Sequence, residues 1–334
     1  MDAPIHLRST AAQVVWGQIP SDAPPVLRIR PGDAVRIDTV SHQGLMMQDP
    51  VEYFGAAGIA RDEVLRDAAD IWRTLRRPEG GGVHVLTGPI HVEGAQPGDL
   101  LEVRVLAIDF RVPYGVNSAG PGSGVLPELA TAPAPRLVRL DIERRVALFA
   151  PGIELPLAPF MGIMAVAPPH AAGRVSTKPP GRHGGNLDLK VLGAGATLYL
   201  PVNVEGALFY TGDGHALQGD GEVNGTAIEI SLAPLLGFHL HKGAGAGLRW
   251  PRAEDAGHWY VTGMDADLDV AMREAVAEAV RVLAERGRLA PVEAYALASL
   301  AVDFRVGEAV NQVQLVYGAI PKHIFGAPSR HRAP

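Results

Sequence analysis

The sequence predicts a mainly β protein with a smaller α+β portion at its C-terminal end. Three observations carry this prediction. The 334 residues include 39 Gly and 28 Pro, which cut the chain into short segments suited to strands and tight turns. Several of those segments alternate apolar and polar residues with period two. Only one long stretch, residues 267–286, has convincing helical periodicity.

Two segments, residues 26–40 and 91–108, each place Pro-Gly-Asp between alternating runs. Proline fits the second position of a turn, and glycine accepts the positive φ that follows it in a type II turn. Leu101, Val103 and Val105 alternate with Glu102 and Arg104, which is a strand with one buried face. Val35, Ile37 and Thr39 repeat the pattern. The expectation is a hairpin used twice, either a common motif or a duplicated element. Residues 112–135, rich in Pro, Gly, Ala and Ser, read as a long excursion. Strand-like text returns at 136–157, 196–204 and 227–232. In the helix, Leu268, Met272, Ala275, Val276, Ala279 and Leu283 form an apolar stripe. Asp265 or Asp267 is placed to cap its start, and Gly287 to supply a left-handed stop. A second helix is expected from Pro291 to about Leu300, then strands over 302–310 and 313–320. The organisation expected is an N-terminal β part over 1–110 with the two hairpins, a β-rich catalytic part with long loops over 111–250, and an α+β part over 251–334.

Composition excludes several functions. A net charge of -6 with scattered Arg disfavours nucleic acid, whose phosphates need clustered Lys and Arg. With no Cys there is neither a disulfide framework nor thiolate chemistry, so any metal must be held by His, Asp, Glu or Asn. Neither a secretory signal nor a run of about 18 apolar residues is present, so a cytoplasmic location without a membrane span is expected. Aromatics at 6% are too thinly spread for the exposed platform of a carbohydrate binder.

Polar residues concentrate in two Gly-rich places. Residues 179–190, PPGRHGGNLDLK, place His183 before a Gly-Gly pair that lets backbone approach a ligand closely, with Asn186 and Asp188 after it. Residues 211–229 hold Asp213, His215, Gln218, Asp220 and Glu222 among interspersed glycines. The plain interpretation of the second is a loop with two Asp-Gly turns, and His215 alone reads as a surface histidine. The functional one is that such a density of donors converges on one cation, with the other segment completing its shell. His84 alone reads as a structural strand histidine. His239 and His241 share a strand face beside a flexible Gly-Ala run, and His323 reads as structural.

The chain resembles the acetamidase/formamidase family. The resemblance rests on TGPIHVEGAQPGDLLEV (87–103), GIMAVAP (162–168), GGNLD (184–188), GDGHALQGDGEVNG (212–225) and AVDFRVGEAVNQVQLVYGAIPK (301–322), with VVWG and the first Pro-Gly-Asp region, in family order. It implies a β-sandwich body with the smaller α+β portion, and hydrolysis of the C–N bond of a small linear amide such as formamide or acetamide, releasing ammonia. It also implies a divalent metal such as zinc and a homo-oligomer, a dimer or higher. With that chemistry, His84, Asp188 and His215 are the expected metal ligands, with Asn186 or Asp213 as substitutes. Glu222 is the expected general acid/base, and Asn186 a donor to the carbonyl oxygen. Alternatives are a lactam or larger amide on the same site, and a non-catalytic β-sandwich binding protein with a structural metal such as calcium.

Overall fold

The computed structural model describes residues 4–46 and 48–326. Two large sheets, of nine and eleven strands, carry most of the chain, beside a two-stranded ribbon. They share one apolar core. Val35, Ile37, Val103, Leu198 and Phe238 enter it from the nine-stranded sheet, and Ile90, Met161, Phe209 and Ile230 from the other. The Phe209 and Phe238 rings meet across it at 5.1 Å. Burial of such alternating faces is what joins the sheets into a sandwich. Both sheets draw strands from early and late in the chain: Ile5–Leu7 and Gln314–Pro321 lie in the same one.

The Pro-Gly-Asp turns differ from the expected hairpins. Each carries the chain from one sheet to the other. Leu27–Ile29 lies in the eleven-stranded sheet and Ala34–Ile37 in the nine-stranded one, and Val85–Val92 and Leu100–Phe110 repeat that step. The turns are built alike. Asp33 Oδ2 accepts from the Arg30 N–H at 2.7 Å, and Asp99 Oδ2 from the Gln96 N–H at 2.8 Å. Each is latched to a strand by a reciprocal backbone pair, Gly32 and Asp33 on Phe238, Gly98 and Asp99 on Val202. Period-two alternation marks strands on both sides of such a turn but does not reveal whether they pair with each other, so the sequence cannot separate a hairpin from a crossover.

The C-terminal portion has the expected elements, with one rotation. The helix Leu268–Gly287 is capped by Asp267, whose carboxylate accepts from the Asp269 and Val270 N–H groups. Its buried stripe is Ala271, Ala275, Ala279, Val282 and Leu283, while Leu268 and Met272 stay exposed. The reason is close approach: a Cβ at Gly263 on the strand beneath would lie 2.2 Å from the Ala271 oxygen, so only small residues fit that contact. Arg288, not Gly287, takes the left-handed stop at φ 52°. Helix Pro291–Ala301 and strands Asp303–Glu308 and Gln314–Pro321 follow. Two helices escaped the sequence reading, Pro50–Ala56 and Arg66–Thr74, both short. The excursion after residue 112 contains a strand, Tyr114–Ala119, which pairs antiparallel with Ala134–Asp141. Among the described residues no helix is long and apolar enough to cross a membrane.

Candidate metal centre

Residues 209–215 form a fully buried central strand, where the sequence suggested a loop with Asp-Gly turns. Phe209–His215 pairs with Phe160–Val166 on one side, and with Val85–Val92 and Glu229–Ile230 on the other. The glycines that mimicked turn signals serve strand packing. A Cβ on Gly212 would stand 2.3 Å from the Val85 oxygen, and one on Gly214 2.6 Å from the Ile230 oxygen. Between and beside them, Asp213 and His215 are carried inward, 4% and 1% exposed. His215 packs edge-on against Phe160, so it is no surface histidine.

The two Gly-rich segments do meet. Gly184–Asn186 pairs with Ile163–Ala165, and the Leu187 and Asp188 N–H groups both donate to the Gly162 oxygen. Asp188 then turns its carboxylate to within 3.8 Å of His215 Nδ1. Asp188, Asp213 and Glu222 all adopt left-handed backbone, at φ 43°, 56° and 45°. Such conformations cost energy in non-glycine residues and gather at functional sites.

Every residue singled out for the site lies here, but in a different grouping. His84, Asn186, Asp188, Asp213 and Glu222 line one cleft of about 200 Å³, together with His42, Lys178, Thr226, Glu229 and Asn311. His215 lies beneath it. The ligand atoms fall into three overlapping sets, each within 4.8 Å: His42, His84 and Asp213; Asp213, His215 and Glu229; Asp188, His215 and Glu222. His84, Asp188 and His215 do not form one set. His42 and Glu229 were absent from the sequence-based ligand list, as were Asn311 and Glu308 behind Asp188 and Glu222.

The spacings inside these sets, 3.3–3.8 Å, are those of ligand atoms around an ion. His215 Nε2 lies 3.3 Å from both Asp213 Oδ2 and Glu229 Oε2. Asp213 is 3.7 Å from His42 Nδ1 through Oδ1 and 3.7 Å from His84 Nε2 through Oδ2. Ligands about 2.0–2.1 Å from a tetrahedral ion stand roughly 3.3–3.4 Å apart. His42 Nδ1, both His215 ring nitrogens, Asp188 Oδ1, Asp213 Oδ1 and Glu229 Oε2 are buried without a protein hydrogen-bond partner. Leaving so many buried polar atoms unpaired is costly, which makes this cluster a candidate cation site. The donors are imidazole nitrogens and carboxylate oxygens, which suit zinc and similar divalent ions.

Asp188, Glu229 and His84 are each held by a partner on the far side. Asn311 donates to Asp188 Oδ2 at 2.6 Å, and Gln218 to the Asp188 backbone oxygen at 2.9 Å. The Ala227 N–H donates to Glu229 Oε1 at 2.9 Å, leaving Oε2 for the cleft. Thr177 Oγ1 meets His84 Nδ1 at 3.1 Å, leaving Nε2. Such outer partners fix ring orientation and tautomer in metal sites. Burial drives His42 down to about 3 and lowers His84. Burial opposes charge on Asp213, yet His84 and His215 outweigh it and hold that carboxylate well below its usual range. Burial also opposes charge on His215, but Glu229 and Asp213 hold it well above its usual value. Burial pushes Glu222 up to about 8, with Glu229 and Asp213 adding to the effect.

Gly162 is the floor of the site. A Cβ there would lie 2.6 Å from Asp188 Oδ1, 2.6 Å from Asp213 Oδ2 and 2.7 Å from His215 Cε1. Gly162→Ala is therefore expected to displace these side chains and lower the metal content of the cleft. The fold should lose only the about 1–3 kcal/mol typical of overpacking. Metal analysis beside a thermal melt checks this, and unchanged metal content would refute it.

Fold and site together define a β-sandwich protein with a buried histidine–carboxylate centre suited to a divalent cation. The chain belongs to the acetamidase/formamidase family, whose model matches residues 8–174 and 169–327. It is similar to an acetamidase of Mycolicibacterium smegmatis, 27% identical over 66% of this chain and 64% of the relative. A formamidase of Methylophilus methylotrophus is 26% identical over 60% of this chain and 58% of the relative. The matches to these curated relatives thus span about three fifths of their length. Among solved structures, an acetamidase from Bacillus halodurans superposes with a TM-score of 0.79 at 29% identity, covering 96% of this chain and 98% of that one. An acetamidase from Yersinia enterocolitica gives a TM-score of 0.78 at 26% identity, covering 98% and 94%.

Proposed function

We propose that the protein hydrolyses small linear carboxamides, formamide, acetamide or a close analogue, to carboxylate and ammonia, with a divalent cation held in the cleft. The observation that carries this reading is the convergence of unpartnered, buried His and carboxylate atoms beneath a small cleft walled by Glu222 and Asn186. Family membership supplies the bond to be cleaved. At about 200 Å³ the cleft falls below the roughly 300–1,000 Å³ of sites for drug-sized ligands, which favours a small substrate.

Asp213, His215 and Glu229, with His42 and His84 beside them, would hold the ion. When bound, it supplies Lewis-acid activation of water and of the amide carbonyl. The protein's own groups do the rest. Glu222, in its ionised form, takes a proton from the attacking water and returns it to the departing nitrogen. Asn186, 2% exposed and on the cleft wall, orients the amide through its own carboxamide. Asp188, fixed by Asn311, sets its carboxylate 3.8 Å from His215 Nδ1. The surrounding strands exclude bulk water, which strengthens each of these interactions.

The test is ammonia release from formamide, acetamide, propionamide and a small lactam, using protein reconstituted with zinc. Turnover of a linear amide is expected. Absence of turnover on every linear amide would overturn this reading, and activity on the lactam alone would assign the site to cyclic amides.

A further inference from the structure

We propose that Lys178 is a specificity-determining residue, and that the preferred substrates are amides carrying a carboxylate, the monoamides of short dicarboxylic acids, rather than uncharged ones. The inference rests on the reading that this cleft hydrolyses small amides, and goes beyond it in naming the class of amide.

The chain contains four lysines. Lys190, Lys242 and Lys322 each pair with a carboxylate, those of Asp220, Asp99 and Glu254. Among the described residues Lys178 alone has no such partner for its ammonium, and it is the lysine that lines the cleft. It is also the only Lys or Arg there, on a wall shared with Asp188, Asp213, Glu222 and Glu229. A lysine that merely balanced those acids would fold onto one of them. Lys178 pairs with none and stays exposed.

The fold fixes the backbone that carries it. The two-stranded ribbon of Arg174–Ser176 and Gln18–Pro20 stands apart from both large sheets and leads directly into Thr177 and Lys178. The Thr177 and Gly82 N–H groups both donate to the Gly17 oxygen, at 3.1 and 2.8 Å. The Lys178 N–H donates to Ser176 Oγ at 3.2 Å. A Cβ on Gly82 would stand 2.3 Å from Thr177 Oγ1 and 2.9 Å from the Lys178 nitrogen, so this pair is pressed against the neighbouring chain. Thr177 meets His84 Nδ1 at 3.1 Å, and Lys178 brings a cation to the same part of the cleft. Burial is the main cause that lowers His84, and the Lys178 charge adds to it, so that charge is felt inside the cleft.

Formamide and acetamide offer this ammonium no charged group. A carboxylate at the far end of the acyl chain gives it a charge-assisted hydrogen bond. That contact is made in the bound substrate and in the transition state alike, so it acts through KM rather than kcat.

The test compares initial rates of ammonia release within matched pairs, malonamate against malonamide and succinamate against succinamide. Zinc-reconstituted wild type, K178M and K178R are each measured. Carboxylate and carboxamide are close in shape, so the ratio of kcat/KM within a pair reads the charge. The wild type should favour the anionic member of at least one pair by about tenfold, the lower end of what a hydrogen bond between charged groups contributes. K178M should abolish that preference by raising KM for the anionic member, and K178R should keep most of it. The wild-type preference should also shrink as salt rises, because the ammonium is exposed. Turnover of neutral amides with no preference for either anionic member would overturn the proposal and leave the amidase reading intact. A preference equal in wild type and K178M, or an equal loss on both members of a pair, would overturn it in the same way. No turnover of any amide would overturn both readings. Should K178M fail to fold, the wild-type ratios and their salt dependence still decide.

Discussion

Replacing Asp213 by asparagine is expected to strip the cleft of metal and lower amide turnover by on the order of 10³-fold, with the chain still folded. Asp213 belongs to two of the three ligand sets, as His215 does, and is the member that joins His42 and His84 to the rest. Its carboxylate is held ionised by His84 and His215 against the cost of burial, and asparagine cannot carry that charge. Loss of the ion removes several kcal/mol of transition-state stabilisation, and each 1.36 kcal/mol is a factor of ten in rate. Asparagine keeps the shape and most of the hydrogen-bonding capacity of the side chain, so the strand Phe209–His215 retains its pairing with Phe160–Val166. The check is metal content, kcat on acetamide and a thermal melt on one preparation. Full metal occupancy with unimpaired kcat would remove Asp213 from the centre.

The sequence reading singled out two segments that the fold brings together at one cleft, and six residues that lie in it or beneath it. That was legible because Gly-rich backbone with many charged side chains has no apolar core to fold around, so its donors must be satisfied by something else. The error over residues 211–229 has a physical source. Gly212 and Gly214 look like turn residues, whereas they are glycines because Val85 and Ile230 carbonyl oxygens press against them. Spacing along the chain shows neither neighbour, and Val85 arrives from more than a hundred residues away.

His42 was invisible for a related reason. It follows Ser41 in a short turn with no periodicity, and is aimed only because the Ser41 N–H donates to Ser231 Oγ at 3.0 Å, far along the chain. The sequence reading gave Glu229 no role. It points inward because its strand is wedged between Phe209–His215 and Tyr114–Ala119. Asn311 and Glu308 lie in a segment legible as part of the family resemblance. Their work depends on the Gly221–Glu308 bridge, which docks the C-terminal portion against the cleft. The fold itself was more legible, since Pro-Gly-Asp turns and the capped helix are local features. Only the partners of each strand, and the face of the helix that packs, needed three dimensions.

Glu222→Gln is expected to keep the metal and lose turnover by about 10² to 10⁴-fold, the usual contribution of a general acid–base group. Glu222 faces the cleft from a left-handed position at φ 45°, set by the Gly225 N–H donating to its backbone oxygen at 2.8 Å. Glutamine has the same length and keeps that turn, so the wall of the cleft should be unchanged. It cannot accept a proton from water or hand one to the leaving nitrogen, so only the chemical step should suffer. A structural role predicts something different. Glu222 sits among Glu229, Asp213 and Glu308, and neutralising it relieves like-charge repulsion. The metal-free glutamine variant should therefore melt no lower than the metal-free wild type, whereas a carboxylate needed for folding would lower the melt. Three measurements separate the cases: zinc per chain, kcat on acetamide and the melting temperature without metal. Near-normal kcat would exclude Glu222 from the proton transfers. Loss of zinc in the glutamine variant would make it a ligand through the Asp188–His215–Glu222 set instead.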